Sequence, residues 1–212
     1  MGIASAPLEM QLIVMPCIIF ALTFHEYAHA RVAYYLGDYT AYYQDRMNLN
    51  PFSHLDPIGT LALYFLGFGW AKPVPVNMRN LSNPRKDMML IAIAGPASNI
   101  LLATIGSLFL RFSTIAPFNI PELFNSAMVF FIFINIVLAL FNLIPIAPLD
   151  GSRILPLFIR DPRILYQIEY YGPRVLMGLV LLSLIGGLSI FSIIIFEPAK
   201  VIFNLLTGIT LV

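Results

Sequence analysis

The sequence predicts an all-α polytopic membrane protein of about four to six transmembrane helices, with a short β-hairpin or re-entrant segment at one membrane face. Three observations carry this expectation. The 212 residues are 59% hydrophobic and only 11% charged, where soluble domains carry about 25% charged residues, and the mean hydropathy is +0.83. Apolar runs at about 10–32, 88–110, 124–144 and 174–196 are each long enough to cross ~30 Å of hydrocarbon. Lysines and arginines gather in alternate connections, as the positive-inside bias of membrane proteins requires. The length predicts a single membrane-embedded domain over residues 1–212 and no large soluble appendage.

Taken in order, Met1 to Leu8 is a short start with neither a positive n-region nor an obvious cleavage site, so the first apolar run is expected to be retained. Tyr34, Tyr35, Tyr39, Tyr42 and Tyr43 crowd the exit of that span and read as an interfacial aromatic belt. The prolines and glycine of Asn50 to Thr60 argue against a regular helix there. The apolar segment 60–69 is too short to span, and Lys72-Pro73-Val74-Pro75-Val76 closes it. Together they read as a strand pair or a re-entrant hairpin. The second span holds Ala92, Ala94, Gly95, Pro96, Ala97 and Ser98, small residues that let helices approach closely. Asn99 follows, suited equally to an interhelical hydrogen bond or to a functional contact. The third span runs into Asn142-Leu143-Ile144-Pro145-Ile146-Ala147-Pro148-Leu149-Asp150-Gly151. Residues 152–173 form a basic, partly amphipathic connection to the fourth span, and 198–212 is a short apolar tail, a half-span or an interfacial helix. The single cysteine, Cys17, leaves no internal disulfide, and a net charge of +1 argues against a nucleic-acid partner.

The basic residues orient the spans. Arg46, Lys72, Arg79, Arg85 and Lys86 lie between spans one and two, and Arg153, Arg160, Arg163 and Arg174 between spans three and four. The connection between spans two and three has only Arg111 at its edge, opposed by Glu122. The expected arrangement puts the N-terminus outside and both basic connections in the cytoplasm. The first and third spans then end on the same, cytoplasmic face.

That placement bears on His25-Glu26-Tyr27-Ala28-His29, an H-E-x-x-H motif in the last third of the first span. Histidines four apart on a helix lie about 40° apart around its axis, so both imidazoles can share one metal ion. Imidazole suits zinc, and a catalytic zinc needs a third protein ligand and a water. Glu26 can reach that water and act as its base. A three-position pattern arises by chance in soluble helices, but His and Glu within a membrane-length apolar run are costly and usually functional. The candidates for the third ligand are Asp150, His54 and Asp56. Topology favours Asp150, beside Gly151, with Pro145 and Pro148 turning the chain just before it; the plainer alternative is that Asp150 caps the next helix.

Four stretches in order, F-H-E-Y-A-H-A from Phe24, N-P-F-S-H-L-D-P-I-G-T from Asn50, G-P-A-S-N from Gly95 and N-L-I-P-I-A-P-L-D-G from Asn142, resemble the site-2 protease family of intramembrane zinc metalloproteases, peptidase family M50. The likeness covers about Phe24 to Gly151, most of the chain. It implies zinc, one per chain, on His25, His29 and Asp150, with Glu26 as catalytic base. It further implies substrates that are membrane-spanning proteins within the lipid bilayer, in the cell membrane of a prokaryote. The family pattern often has Gly before the second histidine; here Ala28 is also small. No stretch is long enough for the PDZ or CBS domains many members carry, so the chain resembles a minimal member.

Two residues keep open roles. His54 can bond a substrate carbonyl, gate the site or fix its own loop, the last being preferred. Asn142 can stabilise an oxyanion or cap the broken helix. Two other classes of function remain. An inert scaffold for membrane segments is disfavoured by an intact Glu26. A metal transporter is disfavoured because polar residues gather at one face rather than crossing the bilayer.

Overall fold

The computed structural model describes residues 2–115, 121–186 and 191–210. In chain order the helices are α1 (Leu8–Tyr35), α2 (Thr40–Tyr43), α3 (Pro51–His54), α4 (Pro57–Leu66), α5 (Pro84–Ile115), α6 (Glu122–Asn142), α7 (Pro162–Gly186) and α8 (Glu197–Thr207). A 3-10 helix, Asp150–Leu157, lies between α6 and α7. Among the described residues three helices are long and apolar enough to cross a membrane: Leu8–Tyr35, Pro84–Ser113 and Glu122–Asn142. At ~1.5 Å per residue the 28 residues of α1 extend about 42 Å, beyond the ~30 Å of hydrocarbon. The protein is a helical membrane protein.

These three helices pack on one another. Phe203 and Ala199 of α8 close against Ala103 and Leu110 of α5 and Ile132 and Ile136 of α6 to form the main apolar core. A second cluster, Ala33, Leu81 and Ile91, ties the end of α1 to the start of α5. The outward faces remain apolar: Leu12, Leu101, Ile105, Leu108 and Phe112 are each more than half exposed. Such a surface suits hydrocarbon, in which helices satisfy their own backbone groups.

The expected fourth span, 174–196, is described only in part. The helix that contains its first half starts twelve residues earlier, at Pro162, because proline with its fixed φ is well placed in a first helical turn. The span also crosses residues 187–190, which lie outside the described residues. The tail forms α8, which at 11 residues is too short to cross.

Of the strand pair or re-entrant hairpin expected over 60–76, the strand pair does not form among the described residues. Residues 57–66 are helical, and β pairing among the described residues is one isolated antiparallel bridge, Leu55 with Ala71. The prolines here start helices instead of forbidding them. Pro51 and Pro57 occupy first turns, where the missing N–H has no intrahelical partner to lose. Asn50 accepts from the Phe52 N–H at 3.2 Å and Asp56 from the Gly59 N–H at 2.7 Å, capping the two helices. Gly67, at φ +77°, ends α4 in the left-handed conformation that favours glycine. An irregular strap, 72–77, then returns towards α1.

Candidate metal centre

α1 presents His25, Glu26 and His29 to the interior, at 4%, 8% and 7% exposure. The 3-10 helix after α6 brings Asp150 to them. Gly151 permits this: a Cβ there would lie 2.6 Å from the Ile144 carbonyl oxygen and closer still to that of Leu143. His25 Nε2 and His29 Nε2 are 3.0 Å apart, and each faces Asp150 Oδ2, at 3.1 and 3.2 Å. Among the described residues these three form the cluster able to hold a metal ion.

The donor chemistry fits a cation. His29 Nδ1 lies 2.7 Å from the Ile91 carbonyl oxygen, which only accepts, so Nδ1 carries the hydrogen. His25 Nδ1 lies 2.7 Å from Asn99 Oδ1. In the neutral rings both Nε2 atoms then carry lone pairs, and these point at each other and at a carboxylate. Asp150 Oδ2 is buried without a hydrogen-bond partner. Three lone-pair donors face to face repel unless a cation sits among them. Tetrahedral zinc with ~2.0–2.1 Å bonds to nitrogen separates its ligands by about 3.3 Å, close to the triangle found. Outer hydrogen bonds of this kind orient metal-binding histidines.

α5 supplies the space for the two rings. A Cβ at Gly95 would lie 2.6 Å from His25 Cε1 and closer to His29 Nε2. Ile91, Gly95 and Asn99 thus line one face of α5, two acceptors with a gap between them.

Glu26 is turned to the strap. Its Oε2 accepts the Val74 N–H at 2.9 Å. Buried Arg46 donates through Nη2 to the carbonyl oxygens of Lys72 at 2.8 Å and Pro73 at 3.2 Å. The Lys72 N–H donates to the His54 carbonyl oxygen at 2.8 Å. Asp38, 1% exposed, ties down the far end: Oδ2 accepts from the Asn77 N–H at 2.7 Å and Oδ1 from Asn80 Nδ2 at 2.8 Å. Burial pushes the Asp38 carboxyl up, but hydrogen bonds from Thr40, Asn77 and Asn80 outweigh it and hold the group below its ordinary value.

His54 is fully buried and donates from Nε2 to the Asn48 carbonyl oxygen at 2.8 Å, apart from the triad. Asp56 caps α4. Asn142 Nδ2 donates to the Leu138 carbonyl oxygen of its own helix at 3.0 Å. Nothing in the sequence marks Val74, Arg46 and Asp38 as neighbours of the site, since they act through main-chain contacts distant in sequence. Gly95 reads in the sequence as helix packing alone; its spacing of four from Ile91 and Asn99 is the available signal.

Comparison with known proteins gives the family. The family model described as Peptidase family M50 matches residues 113–183, which include Asp150. Three relatives share the description "Putative zinc metalloprotease". YwhC of Bacillus subtilis is 44% identical over 153 residues, 70% of this chain and 70% of its own. Rip2 of Mycolicibacterium smegmatis is 28% identical over 63% of this chain and 52% of its own. Rip3 of Mycobacterium tuberculosis is 40% identical over 32% of this chain and 17% of its own. No solved structure matches the chain. A histidine pair and a carboxylate converging inside a helical membrane bundle, with 44% identity to YwhC over most of both chains, lead to one conclusion: the chain belongs to peptidase family M50, the site-2 protease family of zinc metalloproteases.

Proposed function

We propose that this metalloprotease cuts peptide bonds within or beside the bilayer, in the membrane-spanning segments of other proteins, with one zinc held by His25, His29 and Asp150. The observation that carries this reading is the convergence of the three donor atoms between spanning helices. A zinc in that place supplies Lewis-acid chemistry: it polarises a carbonyl and acidifies water. Glu26 takes the proton of the water as its oxygen bonds to the carbonyl carbon and the C=O π bond gives way, then passes that proton to the nitrogen, and the C–N bond breaks as the carbonyl reforms. Buried Glu26 has a fixed direction for this work through the Val74 N–H. A transmembrane substrate hides its carbonyls in its own helical hydrogen bonds, so it must unwind locally before attack. The basic connections support an active site facing the cytoplasm, and the similarity to YwhC of Bacillus subtilis supports a prokaryotic cell membrane.

The test is Glu26→Gln, which keeps size and hydrogen bonding but cannot take the proton. Zinc should remain bound, while cleavage of a co-expressed membrane substrate should fall by about 10²–10⁴-fold. Undiminished cleavage by the zinc-loaded variant would rule this mechanism out.

A further inference from the structure

Two asparagines sit deep in the bundle, one of them against His25. Asn99 on α5 and Asn135 on α6 are both fully buried, and polar groups at membrane depth are expensive without partners. They form a directional chain. Asn135 Nδ2 donates to the Phe131 carbonyl oxygen at 2.8 Å. A carbonyl only accepts, so this bond fixes which end of the amide is which. Asn135 Oδ1 then accepts from Asn99 Nδ2 at 2.9 Å, and the same Nδ2 meets the Ala21 carbonyl oxygen at 3.3 Å. Asn99 is left with its oxygen directed at His25 Nδ1, 2.7 Å away. That contact is a hydrogen bond only when Nδ1 carries the hydrogen, which leaves the lone pair of the neutral ring on Nε2.

We propose that Asn135 and Asn99 are positioning residues for the metal: Asn135 locks the Asn99 amide, and Asn99 holds His25 as the Nδ1–H tautomer with Nε2 aimed at the ion. The proposal rests on the metal-centre reading above. His29 reaches the same state through the Ile91 backbone carbonyl. The two ligands are therefore held by different means, one by main chain and one by a removable pair of amides. A neutral amide in this role also leaves Asp150 as the one carboxylate in the triad.

The chain has three histidines, so 15N-histidine labelling gives three ring systems, assignable by substitution. In metal-free wild type, at a pH where the rings are neutral, His25 should be the Nδ1–H tautomer. Asn99→Leu should lose that preference while His29 keeps its own. Zinc affinity, read by competition with a chromophoric chelator, should fall about 10–100-fold in Asn99→Leu. It should fall less, in the same direction, in Asn135→Leu. Asn99→Asp keeps an oxygen facing Nδ1 and should hold affinity within a few-fold of wild type. Cobalt in place of zinc should show a shifted visible spectrum in Asn99→Leu. A folded Asn99→Leu protein with wild-type zinc affinity, cobalt spectrum and His25 tautomer would assign Asn99 to packing alone and overturn the proposal. If that variant does not fold, an unchanged His25 ring and zinc affinity in Asn135→Leu overturn it instead. These readouts do not involve proteolysis. A wild type that binds zinc with His25 in this tautomer but cuts no membrane protein removes the proposed function and leaves this inference standing. A wild type that binds no zinc removes both.

Discussion

Gly95→Ala adds one methyl group to the face of α5 that receives both imidazoles. The new carbon would lie 2.6 Å from His25 Cε1, against an ordinary contact of 3.4 Å or more, and closer to His29. Either the helices separate or the rings turn. Separation by the missing ~0.8 Å would stretch His25 Nδ1 to Asn99 Oδ1 from 2.7 Å to about 3.5 Å, the limit of a hydrogen bond. The bond from His29 to Ile91, also 2.7 Å, would stretch alike. Losing outer bonds of this kind weakens metal binding about 10–100-fold each, so the variant should bind zinc about 10²–10⁴-fold more weakly. Turning the rings instead breaks the 3.0 Å convergence of the Nε2 atoms and has the same result. The added methyl should also destabilise the fold by about 1–3 kcal/mol, as overpacking does. Chelator competition measures the affinity, and thermal unfolding the stability. A Gly95→Ala protein that holds zinc with wild-type affinity would show that α5 does not confine the rings, and the geometric argument would fail.

Asp150→Ala should lose most of its zinc, read by metal analysis of purified protein, because the pair of histidines alone leaves the site one ligand short; full occupancy would discard Asp150 as a ligand. Asp38→Asn should destabilise the protein by about 1–3 kcal/mol at neutral pH, since the variant cannot accept every bond the carboxylate does. The Asp38 carboxyl is held below its ordinary ~3.9, so its stabilisation is full above about pH 4 and fades as pH falls through the folded value. The gap between wild type and Asp38→Asn in unfolding experiments should close over that acid range, and a gap constant with pH refutes the assignment. In a background with Cys17 replaced by Ala, cysteines at Ser82 and Gln167 should label from the cytoplasm and one at Glu122 from the opposite side; cytoplasmic labelling at Glu122 would reverse the orientation.

How much of this was legible depended on whether a feature is local. The pairing of His25 with His29 is a property of helical spacing and needs no tertiary information. Asp150 is 121 residues further along than His29, and it was reachable because charge bias puts the ends of two spans on one face. Pro51 and Pro57 are ambiguous in sequence because proline has opposite meanings at a helix start and in a helix interior. Only the caps at Asn50 and Asp56, one residue earlier, distinguish the two cases. The strap was illegible for a different reason. Arg46 reads the main-chain oxygens of Lys72 and Pro73, and Glu26 reads the main-chain N–H of Val74. Contacts to backbone leave no mark on the identity of the residue contacted.

Asn99 shows where local and tertiary information meet. From sequence it is equally an interhelical bond or a functional contact; in the structure it bonds Asn135 of α6 and turns its oxygen to His25. One amide joins α5 to α6 through Asn135, reaches α1 at Ala21, and ends on a ring of the candidate metal triad. The small residues before it gain a meaning from the same face. A helix that must donate acceptors to two rings at positions 91 and 99 has to come close to them, and the residue midway, at 95, then has no room for a side chain. Close approach and histidine orientation are one requirement rather than two. Perturbations along this face should therefore separate by ligand. A methyl at Gly95 disturbs both rings, whereas loss of the Asn99 oxygen disturbs only His25, because His29 is held by main chain that no side-chain substitution removes.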